Sequence, residues 1–191
     1  MTALIKKITD RWSKTGVIEK EDEDIYEYGL ELLLHTILNL AVILVSAVLV
    51  GKLPESLAML AVIMPLQSYG GGYHAETHLR CFLIMYIGWW VVIFILPFVA
   101  SVAAAIMACA SVFIVYWLAP VPHMNVKMSA GQRLKMRKFV RLTVVIGTIT
   151  SGVLTWGVSE RIGIAMSMGL GVIALSMSAA HGKNVLAGKR L

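Results

Sequence analysis

Residues 69–81 read Tyr-Gly-Gly-Gly-Tyr-His-Ala-Glu-Thr-His-Leu-Arg-Cys, the most polar and glycine-dense break in an otherwise apolar chain. Glycines 70 to 72 interrupt the apolar run before them and permit backbone conformations closed to other residues. Apolar sequence resumes immediately after Cys81. The stretch therefore divides a series of membrane helices, and its histidines and cysteine sit at the mouth of one of them. Ionisable groups in that position mark a functional site by default.

Working outward, composition agrees with a membrane reading. The 191 residues are 58% hydrophobic, against about 45–50% for a soluble domain, and the mean hydropathy is +0.78. The net charge of +6 collects at segment ends, as membrane topology demands, so nucleic acid is not an expected partner. The first 28 residues are charged and show no short apolar core with a cleavage site, so no signal peptide is expected. The two cysteines, Cys81 and Cys109, lie in unlike surroundings and do not suggest a disulfide framework.

The expected fold is all-α and polytopic, one unit over residues 1–191. Residues 1–15 form an amphipathic helix, with Leu4, Ile5, Ile8 and Trp12 at 3–4 residue spacing and Lys6, Lys7, Arg11 and Lys14 beside them. This pattern suits a helix lying in the bilayer interface. About six transmembrane helices follow within 29–180. The first, 29–50, carries Glu31, His35 and Asn39 on one face, directed toward protein rather than lipid. The apolar segment 56–68 is short for a full crossing, so it either crosses with help from its flanks or re-enters and turns at the glycines. Further spans are expected at 81–98, 102–119, 139–158 and 162–180, joined by a polar loop over 120–138 and followed by a basic tail, 181–191. Gly163, Ser167, Gly169 and Gly171 give the last span a small-residue face suited to close packing or to a second copy. Fifteen of the seventeen lysines and arginines fall on the N-terminal side of this layout. That bias places both termini, residues 69–81 and the basic loop in the cytoplasm.

The chemistry of the cluster has three readings. A cysteine nucleophile needs a partner that takes its proton or stabilises its thiolate. On one straight helix His74 would lie about 10.5 Å along the axis from Cys81, beyond hydrogen-bond reach, so His74 could serve only if its segment folds back. His78, three residues before Cys81, meets the distance requirement on a simple helix. Alternatively, His74, His78 and Cys81 at i, i+4 and i+7 could ligate zinc in a membrane hydrolase. A non-enzymatic transporter or exporter subunit is the third reading, in which the cluster merely borders a loop.

The pattern Gly-Gly-Tyr-His-Ala (71–75) with Cys81 seven residues after the histidine resembles the accessory gene regulator protein B (AgrB) family, the membrane cysteine endopeptidases of Gram-positive quorum sensing. The resemblance extends to the basic amphipathic N-terminus, Tyr-Gly-x-Glu at 28–31 and Ala-Pro-Val at 119–121, and so covers essentially the whole chain. It implies a catalytic dyad of His74 and Cys81, no cofactor or metal, and a bacterial cell-membrane location with a cytoplasmic active site. The implied substrate is an AgrD-type propeptide, whose C-terminal tail is cleaved through a Cys81 thioester and whose remainder cyclises to a thiolactone. The backbone at Gly71 and Gly72 would support the oxyanion. Arg80, Lys127, Arg133, Lys135, Arg137 and Lys138 are candidates for binding the acidic tail, with Glu31, His35, Asn39, Gln67 and His78 as auxiliary polar groups. The family association also implies a homodimer. One departure is Gln67, where many members carry an arginine.

Overall fold

The computed structural model describes residues 2–73, 77–121 and 129–186, with Thr2, Ala3, Leu4, His78 and Ala130 as backbone only. Among these the chain forms seven α-helices and no strand. They are α1 (Thr2–Lys14), α2 (Glu23–Leu49), α3 (Leu53–Gly70), α4 (His78–Ile95), α5 (Ser101–Leu118), α6 (Ala130–Gly157) and α7 (Glu160–Leu186). Helices α2, α4, α5, α6 and α7 are each long and apolar enough to cross a membrane. Their outward faces carry large apolar side chains such as Phe94, Ile106, Phe113 and Trp156, as lipid contact requires. The protein is an all-α polytopic membrane protein.

The N-terminal helix forms as the sequence predicts, but its packing strip differs in detail. Ile5 and Thr9 are buried, and Trp12 is half-covered. Helix α1 packs with this strip against α2. The acidic residues after it form a 3-10 turn, Lys20–Asp22, and the first turn of α2, where Glu23 and Asp24 oppose the positive helix end.

The short apolar segment expected at 56–68 is part of a longer helix. Helix α3 has 18 residues, a length of about 27 Å, and does not reverse partway. Pro54 sits in its first turn, where a missing N–H costs nothing, and Pro65 is accommodated inside. The helix ends at Gly70, so it runs into the first glycine instead of stopping before it.

Helix α7 is the centre of the bundle and packs against α3, α5 and α6. One buried cluster joins Leu66 of α3, Val115 of α5, Val140 and Val144 of α6, and Leu170, Ile173 and Met177 of α7. A second joins Ile43 of α2, Met59 of α3, Trp89 of α4 and Ala165 of α7. Trp89 Nε1–H donates to Ser56 Oγ of α3 at 2.9 Å, so the buried indole has its partner.

The small residues of α7 are occupied within the chain. A side chain at Gly169 would meet Met59 and Val62 at 3.0 Å, and one at Gly171 would meet Met107 Sδ at 2.8 Å. Ser167 is buried as well. The face that the sequence offers to a second copy is filled by α3 and α5 of the same molecule.

Candidate active site

The site lies where the C-terminal end of α3 meets the C-terminal part of α7, on the segment that leads to α4. Gly71 caps α3 with φ +73° and ψ −179°, a combination essentially restricted to glycine. A Cβ at Gly71 would run into the Val121 carbonyl oxygen. Val121 N–H in turn donates to the Gly70 carbonyl at 2.9 Å. The turn after α3 is thereby clipped to the Ala-Pro-Val segment after α5, whose Ala119–Pro120 peptide is cis.

The next residues are held against α7 and α3. A Cβ at Gly72 would come within 2.6 Å of Gln67 Oε1 and 2.8 Å of Ser176 Oγ. Tyr73 N–H donates to Ser176 Oγ at 3.0 Å, and Lys183 Nζ lies 5.6 Å from the centre of the Tyr73 ring. Glycine is thus required at 71 for its backbone angles, and at 72 it leaves room for the side-chain ends of Gln67 and Ser176. Gln67, the departure from the family pattern, touches the glycine turn directly.

His74 follows this clip and lies outside the described residues. The chain is described again at Thr77, which is extended (φ −127°, ψ 144°) and caps α4 through its hydroxyl, accepting from Arg80 N–H. Helix α4 begins at His78. The straight helix considered for residues 74–81 is interrupted at the extended Thr77. The zinc set of His74, His78 and Cys81 includes His74, which lies outside the described residues. Among the described residues no group of three His, Cys, Asp or Glu side chains is poised for a metal.

Cys81 sits in the first turn of α4, half-buried, its N–H bonded to the Thr77 carbonyl at 3.0 Å. A helix N-terminus is where an anionic group is favoured. His78 opens the same turn. Arg80 is exposed beside Cys81. Cys109 is free and exposed on α5.

The remaining candidates divide between two helices. Glu31 and His35 are half-buried on α2 and Asn39 is buried. Arg133, Lys135, Arg137 and Lys138, expected in a loop, stand exposed on the first turns of α6, which begins at Ala130; Lys127 lies outside the described residues. A capping box starts this helix: Ser129 Oγ accepts from Gln132 N–H at 3.3 Å, and Gln132 Oε1 accepts from Ser129 N–H at 3.0 Å. The Ser-x-x-Gln signature was legible in the sequence. Ser176, by contrast, carries no local signal. It is one of several serines in an apolar helix, and its partner lies 103 residues away.

Comparison with the curated proteins and with solved structures gives no match. A family model described as accessory gene regulator B matches residues 5–179, which include the glycine turn, the cap of α4 and Cys81. The chain belongs to the accessory gene regulator B family.

Proposed function

We propose that the protein is a membrane cysteine endopeptidase that cleaves the C-terminal tail of an AgrD-type propeptide and promotes its cyclisation to a thiolactone. The observation that carries this reading is the break between Gly71 and Thr77 inside a family-matched chain. Helix α4, which bears Cys81, starts only at His78 after an extended Thr77, so the dyad does not depend on one straight helix.

The steps follow from this arrangement. His74 accepts the thiol proton of Cys81, and the thiolate, favoured at the start of α4, attacks a peptide carbonyl. Backbone N–H groups at Gly71 and Gly72 stabilise the oxyanion, since that of Tyr73 is engaged by Ser176. Collapse breaks the C–N bond, His74 returns its proton to the departing amine, and the rest of the propeptide stays as a thioester on Cys81. An internal substrate cysteine then attacks that thioester. Cys81 leaves as thiolate and is reprotonated, and a cyclic thiolactone is released. One thioester replaces another, so ring closure requires no external energy source, and a water-poor site suppresses hydrolysis.

The charge bias of the chain supports a cytoplasmic position for this site and for both termini. The exposed cations at the start of α6 supply a docking surface for an acidic propeptide tail. They stand on a helix end that is itself positive and has no acidic residue in its first turn, so an anionic partner is favoured twice. A homodimer, implied by the resemblance, uses a surface other than the glycine face of α7.

The test is reconstitution with the propeptide in lipid vesicles and mass spectrometry of the products. Cys81→Ala and His74→Ala are expected to leave the propeptide intact, while His78→Ala retains cleavage. Cleavage by Cys81→Ala would refute the reading.

A further inference from the structure

Three contacts fix the chain just after α3. Val121 N–H holds the Gly70 carbonyl, Gly72 lies against the ends of Gln67 and Ser176, and Tyr73 N–H donates to Ser176 Oγ at 3.0 Å. Tyr73 is gripped a second time through its ring, whose centre lies 5.6 Å from Lys183 Nζ. That is within the roughly 6 Å at which an ammonium is attracted to an aromatic ring. Both partners of Tyr73 belong to α7.

Ser176 and Lys183 are seven residues apart, close to two turns of helix, so they share one face of α7. Side chains on a helix lean toward its N-terminus, so Lys183 reaches back along that face toward the ring. Tyr73 thus lies along α7, its amide on the first residue and its ring beside the second. The platform is firm, since Met177, Ala180 and Asn184 are buried and close-packed interiors yield little. Lys183 stands in the last turn of α7, where the helix end alone favours a cation. A lysine serving only the helix end would need no aromatic neighbour, whereas Lys183 is half-buried with a ring from another segment beside its ammonium. A single peptide bond joins Tyr73 to His74. Whatever fixes Tyr73 therefore fixes one end of the histidine's own backbone.

We propose that Lys183 and the Tyr73 ring are positioning residues for His74, clamping the residue before it onto α7 and so setting where the imidazole is carried. This role rests on the peptidase reading, in which His74 takes the proton of Cys81. Neither Lys183 nor Tyr73 takes part in a bond change.

The test measures, on the full-length chain in detergent at neutral pH, the rates at which iodoacetamide alkylates Cys81 and the exposed Cys109. His74→Ala, the reference, is expected to slow Cys81 by about tenfold or more, since it removes the base. Lys183→Met keeps the helix preference of lysine without its charge and is expected to slow Cys81 by about two- to fivefold, the worth of a cation–π contact. Tyr73→Leu should act alike. Lys183→Arg and Tyr73→Phe keep the cation and the ring, and should stay within about 1.5-fold of wild type. The rate at Cys109 stays unchanged throughout. Added to His74→Ala, Lys183→Met should cost nothing further, because a positioning residue acts only through the group it positions. With propeptide present, Lys183→Met lowers kcat and leaves KM unchanged. A Cys81 rate within about 1.5-fold of wild type in Lys183→Met or Tyr73→Leu, whichever keeps the wild-type thermal midpoint, overturns the proposal. So does a Lys183→Met loss that persists in the His74→Ala background. If His74→Ala itself leaves the Cys81 rate unchanged, the dyad is at fault, and the positioning role falls with it.

Discussion

Gly71 shows how one residue can set the geometry of a site without touching substrate. Its positive φ with extended ψ turns the chain out of α3, and its missing Cβ leaves room for the Val121 carbonyl. Gly71→Ala combines backbone strain of about 1–3 kcal/mol with a backbone collision. The expected outcome is loss of propeptide cleavage with a lowered thermal midpoint, checked by mass spectrometry and by thermal unfolding in detergent. Ser176 acts more gently. Ser176→Ala removes the acceptor for Tyr73 N–H, which costs about 1 kcal/mol and loosens the segment leading to His74. A reduced kcat at nearly unchanged stability is the expected result. The glycine run was legible as a turn, because three adjacent glycines have few other uses. What each glycine approaches was not, since Val121 and Ser176 are distant in sequence and only folding brings them there.

Helix α6 illustrates the same division among elements. Its apolar half, beginning near Phe139, stands out by hydropathy, but the helix starts nine residues earlier at Ala130. Residues 132–138 are Gln, Arg, Leu, Lys, Met, Arg and Lys, all strong helix formers, and the Ser129–Gln132 box fixes their start. Hydropathy alone makes them a loop, whereas propensity and capping make them a helix. Helicity matters for docking because Arg133 and Arg137 then share one face instead of sampling many arrangements. Arg133→Gln with Arg137→Gln is expected to raise KM for the propeptide several-fold at low salt, and less at high salt, since exposed charges are screened. A KM equally affected at every ionic strength would argue for a role other than charge. Ser129→Ala should weaken the helix start by about 1 kcal/mol and raise KM in the same salt-dependent way.

For the whole molecule, the decisive feature is that α7 is a core helix. Its glycines look from sequence like a seam for a second copy, because periodicity says how closely a helix can be approached and not by what. In the fold, α3, α5 and α6 approach it. The tightest place is Gly163, where a Cβ would meet Thr155 Oγ1 and backbone N, with the Ser151 carbonyl oxygen at 2.6 Å. Two of these three atoms are backbone and cannot turn aside, so α6 and α7 would have to separate at their shared loop. Gly163→Ala is therefore expected to destabilise the protein by about 1–3 kcal/mol and to lower its thermal midpoint. Gly88 of α4 is the matched control: nothing lies within 4 Å of its added Cβ, so Gly88→Ala should be neutral or slightly stabilising. Light scattering in detergent separates the two uses of α7. If its glycine face packs inside one chain, Gly163→Ala loses stability while the mass of the particle is unchanged. A halved mass at unchanged thermal midpoint would return that face to the interface between two copies.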